Sequence, residues 1–221
     1  MVLVSEQRIT QLKPRLPAAV RRSQLLDVAT VRFAANGFHE TSMEEIADAA
    51  GVTKPVLYQH FSSKKKLYLE ILDSIGRELI AAVIQRAAAE TDPYHRVLAG
   101  FRAYFLFACD HTSAYQLFFG SGARASDELA ESIRKVEDVV ALIIAGFIDA
   151  DIETDHRETL GYALVGLGEV AGRRWVALHG DPDGPGLFPA EAEVLAVRLA
   201  DLVWAGLRGL PGSPSPRPLD E

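Results

Sequence analysis

Residues 41–66, TSMEEIADAAGVTKPVLYQHFSSKKK, constrain the fold more than any other part of the chain. The stretch predicts two short helices, a tight turn and the start of a longer helix. Ser42 suits an N-cap, and Glu45 three residues on completes a capping box. Ile46, Ala47 and Ala50 share one face, which turns inward. Gly51 ends the helix, because glycine accepts a positive φ at little cost. Val52 tucks in behind it. Thr53 then caps the second helix, and Pro55 sits in its first turn, where a missing N–H is harmless. Two short helices joined by a glycine turn form a helix-turn-helix, whose second helix enters the major groove of DNA.

Charge supports that reading once it is split along the chain. The whole chain of 221 residues carries −7. Residues 1–66 hold 10 Lys/Arg against 6 Asp/Glu, or +4, and the remainder holds 13 against 24, or −11. A basic first third on an acidic body is expected where one end meets phosphate. A single cysteine, Cys109, excludes an internal disulfide framework and a cysteine zinc finger. No apolar run reaches membrane-spanning length and no secretory leader is recognisable, so a cytoplasmic protein is expected.

The rest of the chain predicts an all-α fold of about nine helices, with no strand pattern and no repeat. Residues 1–16 form a flexible basic arm and residues 17–66 the DNA-binding domain. Residues 67–208 form a ligand-binding and dimerisation domain, and 209–221 a structureless tail. The first helix is expected over 17–36 with Leu25, Leu26, Ala29, Phe33 and Ala34 inward, stopped by Gly37, with Phe38 folding back. The fourth starts after Ser62-Ser63 and carries Lys64, Lys65 and Lys66 in its first turn, the wrong sign for the helix dipole. A phosphate opposite them would repair that. Five more helices follow, over about 93–109, 113–119, 126–148, 154–179 and 190–207. The eighth contains Gly161, Gly166, Gly168 and Gly172, each of which permits close helix approach at a cost in propensity. The last helix is apolar on several sides, and it and the eighth are expected to pair with a second copy as a four-helix interface, the alternative being that they close the core of one chain.

Phe33, Gly37, Phe38, Thr41, Ser42, Ile46, Ala47, Ala50, Gly51, Val52, Leu57, Tyr58, His60, Phe61, Lys64 and Leu67 form a spaced pattern. It resembles the TetR family of bacterial transcription regulators over roughly residues 20–68. The resemblance implies an all-α homodimer on a palindromic operator, switched by a small ligand. Carried over residue by residue, it implies phosphate contact for Ser42, Tyr58, His60 and Lys64. It places Thr53, Lys54 and Val56 at the groove-facing start of the recognition helix. Chemistry agrees: hydroxyls donate to phosphate, Gln59 can pair with adenine, Lys54 can reach guanine and Val56 can touch a thymine methyl. Two departures affect base preference: Lys54-Pro55 where many members have glycine second, and Lys65-Lys66 where acids are common. The run KPVLYQHFSSK is also similar to actinobacterial members that control lipid metabolism and sense fatty acyl-CoA.

A mainly apolar effector pocket is expected from Phe101, Tyr104, Phe105, Ala108, Phe118, Ile143, Phe147 and Tyr162. Arg102, Arg124 and Arg173 are the residues suited to an acidic head group, with surface ion pairs as their other use. No cofactor, metal or catalytic residue is expected. Asp149, Asp151, Glu153 and Asp155 alternate like a calcium loop, but Thr154 replaces its glycine and Leu160 its closing glutamate. The six histidines show no i,i+4 pair. The reading is a ligand-responsive DNA-binding repressor working as a dimer. The alternatives are a small-molecule-binding enzyme or an interaction module that does not bind DNA.

Overall fold

Helical periodicity without strand signals builds a fold in which every element buries one stripe against its neighbours. The computed structural model describes residues 17–120, 127–180 and 187–212. The expected arm at 1–16, Arg124 and residues 213–221 of the expected tail lie outside the described residues. Among those described, nine helices and no strand occur. They are α1 (Ala18–Glu40), α2 (Met43–Ala49), α3 (Lys54–His60), α4 (Lys64–Ala88), α5 (Pro93–Asp110), α6 (Thr112–Phe119), α7 (Asp127–Phe147), α8 (Thr154–His179) and α9 (Pro189–Leu207).

The N-terminal unit follows its local signals. The ladder of α1 breaks at Gly37, where φ is +81° and ψ 166°, a conformation that side chains resist. The break swings Phe38 back over Phe33 and Tyr68, with ring centroids 6.0 and 5.0 Å away. Leu25, Ala29 and Phe33 are buried on α1, with Leu26 and Ala34 packed at the margin. Ser42 and Glu45 form the full capping box, and Gly51 turns the chain at φ +65°. Thr53 occupies the N-cap of α3, but its hydroxyl makes no capping bond, unlike the sequence expectation. Ser63, rather than Ser62, caps α4 by accepting the Lys66 N–H.

Helix α4 joins the two parts. It packs on α1 in the N-terminal unit and on α5, α6 and α7 in the body. Helix α7 lies along α8, and α9 lies along α5. Helix α6 packs on α1, so the body touches the N-terminal unit at α6 as well as through α4. Residues 209–212, expected to be structureless, close a turn in which the Pro211 carbonyl accepts the Asp151 N–H at 2.7 Å.

Candidate functional site

Two features are built by this arrangement. One is an exposed polar face on α2 and α3; the other is an apolar cavity between α4, α5, α7 and α8.

On the first, Leu57 and Phe61 are buried and anchor α3, which leaves its other sides to solvent. Thr53, Lys54, Tyr58 and Gln59 are exposed, and Val56 and His60 are half-buried beside them. Ser42 is exposed at the start of α2. Its Oγ accepts the Glu45 N–H at 3.1 Å and its own N–H donates to Glu45 at 2.7 Å. The backbone donor is thereby used, while the hydroxyl proton is still available to a phosphate oxygen. The same bond from the Ser42 N–H holds the Glu45 carboxyl below the ordinary carboxylate range. Lys54 forms an exposed pair with Glu44 at 3.5 Å, the kind of contact that a base edge or phosphate displaces at small cost.

The lysine run has partners inside the chain that its local sequence did not show. Lys64 Nζ donates to the carbonyls of Thr41 at 2.9 Å and His39 at 3.1 Å. It also stands 4.7 Å over the Phe38 ring. It ties the end of α1 to the start of α4, with one of its three donors left over. Lys65 pairs with Glu128 at the start of α7, and this contact draws the Glu128 carboxyl below its usual range. Two of the three charges that offend the α4 dipole are thus balanced inside the chain. Lys66 is exposed and makes no ion pair among the described residues. It is the member of the run most available to phosphate, a point that sequence alone could not separate. K66A is expected to weaken binding to matched and scrambled DNA alike. It should flatten the slope of log K against log salt by about one phosphate's worth, read in an anisotropy titration.

The cavity has a volume of about 160 Å3. Its inner end is closed by the buried Leu79, Phe118 and Phe119. Arg96, Phe147 and Ile148, which also line it, are partly exposed, and Asp149 is exposed. Of the eight residues expected to form it, Phe101, Tyr104, Phe118, Ile143 and Phe147 line it. Three do not. Phe105 and Ala108 are fully buried in the core behind, and Phe105 sits edge-on to Trp175 at 6.1 Å. Tyr162 is on the outer surface, where its hydroxyl donates to Asp138 at 2.9 Å. Tyr104 borders the cavity with its ring and hydrogen-bonds Tyr115 hydroxyl to hydroxyl at 2.9 Å, and burial pushes its phenol well above the usual range.

Arg102 and Arg173 are used in ion pairs, the other use that the sequence allowed them. Arg102 Nε donates to the Glu193 carboxylate oxygens at 2.8 and 2.7 Å, and Arg173 pairs with Glu169 at 3.6 Å. Arg96, which the sequence left unmarked, is the cationic residue among the described lining. Its guanidinium lies 5.2 Å from the Phe147 ring centre and donates to the Glu90 carbonyl at 2.9 and 3.2 Å. Among the described residues no group of three His, Cys, Asp or Glu side chains is placed to hold a metal. No helix of the described residues is long and apolar enough to cross a membrane.

Comparison with known proteins joins the two features. The family model of the bacterial regulatory proteins of the tetR family matches residues 25–71, the helix-turn-helix and its supports. The HTH-type transcriptional activator FasR of Mycolicibacterium smegmatis (strain ATCC 700084 / mc(2)155) is 32% identical over 199 residues, covering 89% of this chain and 87% of that protein. A TetR-like transcriptional regulator from Rhodococcus sp. RHA1 superimposes with a TM-score of 0.71 at 27% identity, covering 88% of this chain and 100% of that one. The regulator FadR from Bacillus subtilis, solved in complex with stearoyl-CoA, shares the fold at a TM-score of 0.69 and 15% identity, covering 83% of this chain and 98% of that one. A helix-turn-helix coupled through α4 to an apolar cavity is what such a regulator requires, and the chain belongs to the TetR family: it is a ligand-responsive, DNA-binding transcriptional regulator.

Proposed function

We propose that this regulator binds a palindromic operator as a homodimer and that a fatty acyl-CoA is its effector. The observation that carries the reading is a cavity walled mainly by aliphatic and aromatic side chains, with the partly exposed Arg96 as its cationic residue among the acids Glu137, Asp149 and Glu169. An acyl chain fits the apolar wall, and an anionic head group would meet Arg96. Residues 67–208 would be the effector and dimer domain, and residues 17–66 the reading head. Ser42, Thr53, Lys54, Val56, Tyr58, Gln59, His60, Lys64 and Lys66 would face DNA. Dimerisation through α8 and α9 is supported by apolar side chains left outside, including Val170 at 59% exposure, Leu178 at 57% and Leu202 at 62%. Such residues on two neighbouring helices need a cover. Two reading heads would then meet half-sites about one DNA turn apart, roughly 34–36 Å.

Coupling follows from space. A cavity of about 160 Å3 is smaller than the roughly 300–1,000 Å3 of typical ligand pockets, so a long chain must push its walls apart. Helix α4 is one wall through Leu79, Val83, Ile84 and Ala87, and its first turn holds the reading head through Lys64. Outward movement of α4 would change the separation of the two heads and release the operator. Release on ligand binding makes a repressor where the operator overlaps a promoter. FasR is named an activator, and the same chemistry activates where the operator lies elsewhere. No catalysis is proposed: burial pushes the Cys109 thiol up to about 11, away from nucleophilic use. The protein would work in the cytoplasm, where its DNA is.

The test is a thermal-shift series with acyl-CoAs of graded length, free fatty acids, coenzyme A alone and cationic aromatic drugs. Long acyl-CoAs at 100 Kd are expected to add about 2.7 kcal/mol, raising Tm by roughly 5–10 °C. Coenzyme A alone should do nothing. A drug that raises Tm where no acyl-CoA does would sink the acyl-CoA assignment.

A further inference from the structure

We propose that Arg22 on α1 is a positioning residue that fixes the angle of the recognition helix α3, although its charge alone would mark it as a phosphate contact. The proposal rests on α3 being the helix that reads bases.

Helix α3 has seven residues and a single buried side chain of its own, Leu57. A helix that short has no stability of its own, so its orientation is set by what touches it. Its C-terminal end leaves carbonyls without helical partners. The last of them, on His60, accepts a hydrogen bond from Arg22 Nη1 at 2.7 Å. Arg22 Nη2 donates to Glu70 of α4 at 2.5 Å. The same guanidinium lies 4.4 Å from the centre of the Phe61 ring, the buried residue that ends α3. One planar group therefore joins α1, the C-terminus of α3 and α4. A positive charge at that terminus also agrees in sign with the helix dipole. A lysine is a point charge on a flexible stem and cannot make all three contacts at once.

Glu70 already balances the Arg22 charge, whereas the exposed Lys66 has no ion pair among the described residues. The two cations thus have different roles. Loss of a phosphate contact weakens binding to every sequence and lowers the number of ions released. Loss of a positioning contact weakens only the binding that depends on base edges meeting their side chains.

The experiment compares full-length wild type, R22A, R22K, E70Q and Q59A on two duplexes across a salt series. One duplex is selected from a random pool by the wild-type protein; the other is its scrambled version. Active fraction is fixed beforehand by stoichiometric titration, which removes simple loss of folded protein from the comparison. R22A is expected to lose about ten- to hundredfold on the selected duplex, none on the scrambled one, and to keep the wild-type salt slope. R22K should recover only part of the loss. E70Q, which leaves the arginine in place, should show the same pattern at about threefold. Equal losses on both duplexes with a slope flattened by about one would make Arg22 a phosphate contact and overturn the proposal. An unchanged ratio of selected to scrambled affinity would also overturn it. If R22A does not fold, R22K and E70Q decide the matter by the same ratio. Q59A guards the premise: it should cut that ratio, and if it does not, the base-reading role of α3 has failed, separately from the role of Arg22.

Discussion

Replacing Gly161 by alanine is expected to destabilise the protein by about 2–3 kcal/mol and to lower Tm by roughly 5–10 °C, although alanine is the better helix former. A Cβ at Gly161 would lie 2.2 Å from the Ala141 carbonyl oxygen of α7 and 3.0 Å from its carbon. Both are backbone atoms, so no side chain can rotate away, and α7 and α8 must separate. The helix-propensity gain of about 0.5–1 kcal/mol offsets only part of that cost. Gly166 on the same helix gives the contrast. Its added Cβ would meet nothing within 4 Å, so G166A should leave Tm unchanged or raise it slightly. Paired differential scanning measurements check both. Equal effects of the two substitutions would show that α7 and α8 do not touch at Gly161 as described.

The second large effect concerns the cavity. Ile143 lines it from α7 and is only partly buried, so its side chain borders open space. I143W should fill that space with an indole ring. An acyl chain competing for the same volume loses about 1–3 kcal/mol, or roughly five- to 150-fold in affinity. Operator affinity without effector should stay at the wild-type value, because the reading head is untouched. Retention of the wild-type effector response by I143W would remove the cavity from the mechanism. F105A is the informative companion, since Phe105 was expected in the pocket yet is core. It should lower stability by about 3–5 kcal/mol, as loss of a buried phenylalanine does.

What could be read from the sequence depended on how local the signal was. Ser42, Glu45, Gly37 and Gly51 act through neighbours within four residues, so the capping box and both turns are legible in the sequence. The ends of α8, Thr154 and His179, were legible for the same reason. The pocket was not. Phe101, Tyr104, Phe105 and Ala108 recur at helical spacing, and periodicity says only that they face inward. Whether inward means cavity or core depends on the neighbouring helices, and the two halves of that set divide between them. Tyr162 was misplaced because an aromatic on a helix was read as apolar, while its hydroxyl holds it on the surface at Asp138. The lysine run showed its unfavourable sign but not its partners. His39, Thr41 and Glu128 lie 25, 23 and tens of residues away, and such contacts leave no local pattern. Arg22 and Arg96 escaped for the same reason.

In the proposed function, one chain binds specific DNA and an acyl ligand in its body changes that binding. Coupling is reciprocal and typically spans about 5- to 150-fold in affinity. The direct measurement is the anisotropy of a labelled, selected operator duplex titrated with the full-length protein at fixed salt, with and without saturating stearoyl-CoA. The predicted result is an operator Kd raised at least about tenfold by stearoyl-CoA and unchanged by coenzyme A alone. Stearoyl-CoA that binds the protein yet leaves the operator Kd where it was would contradict the account.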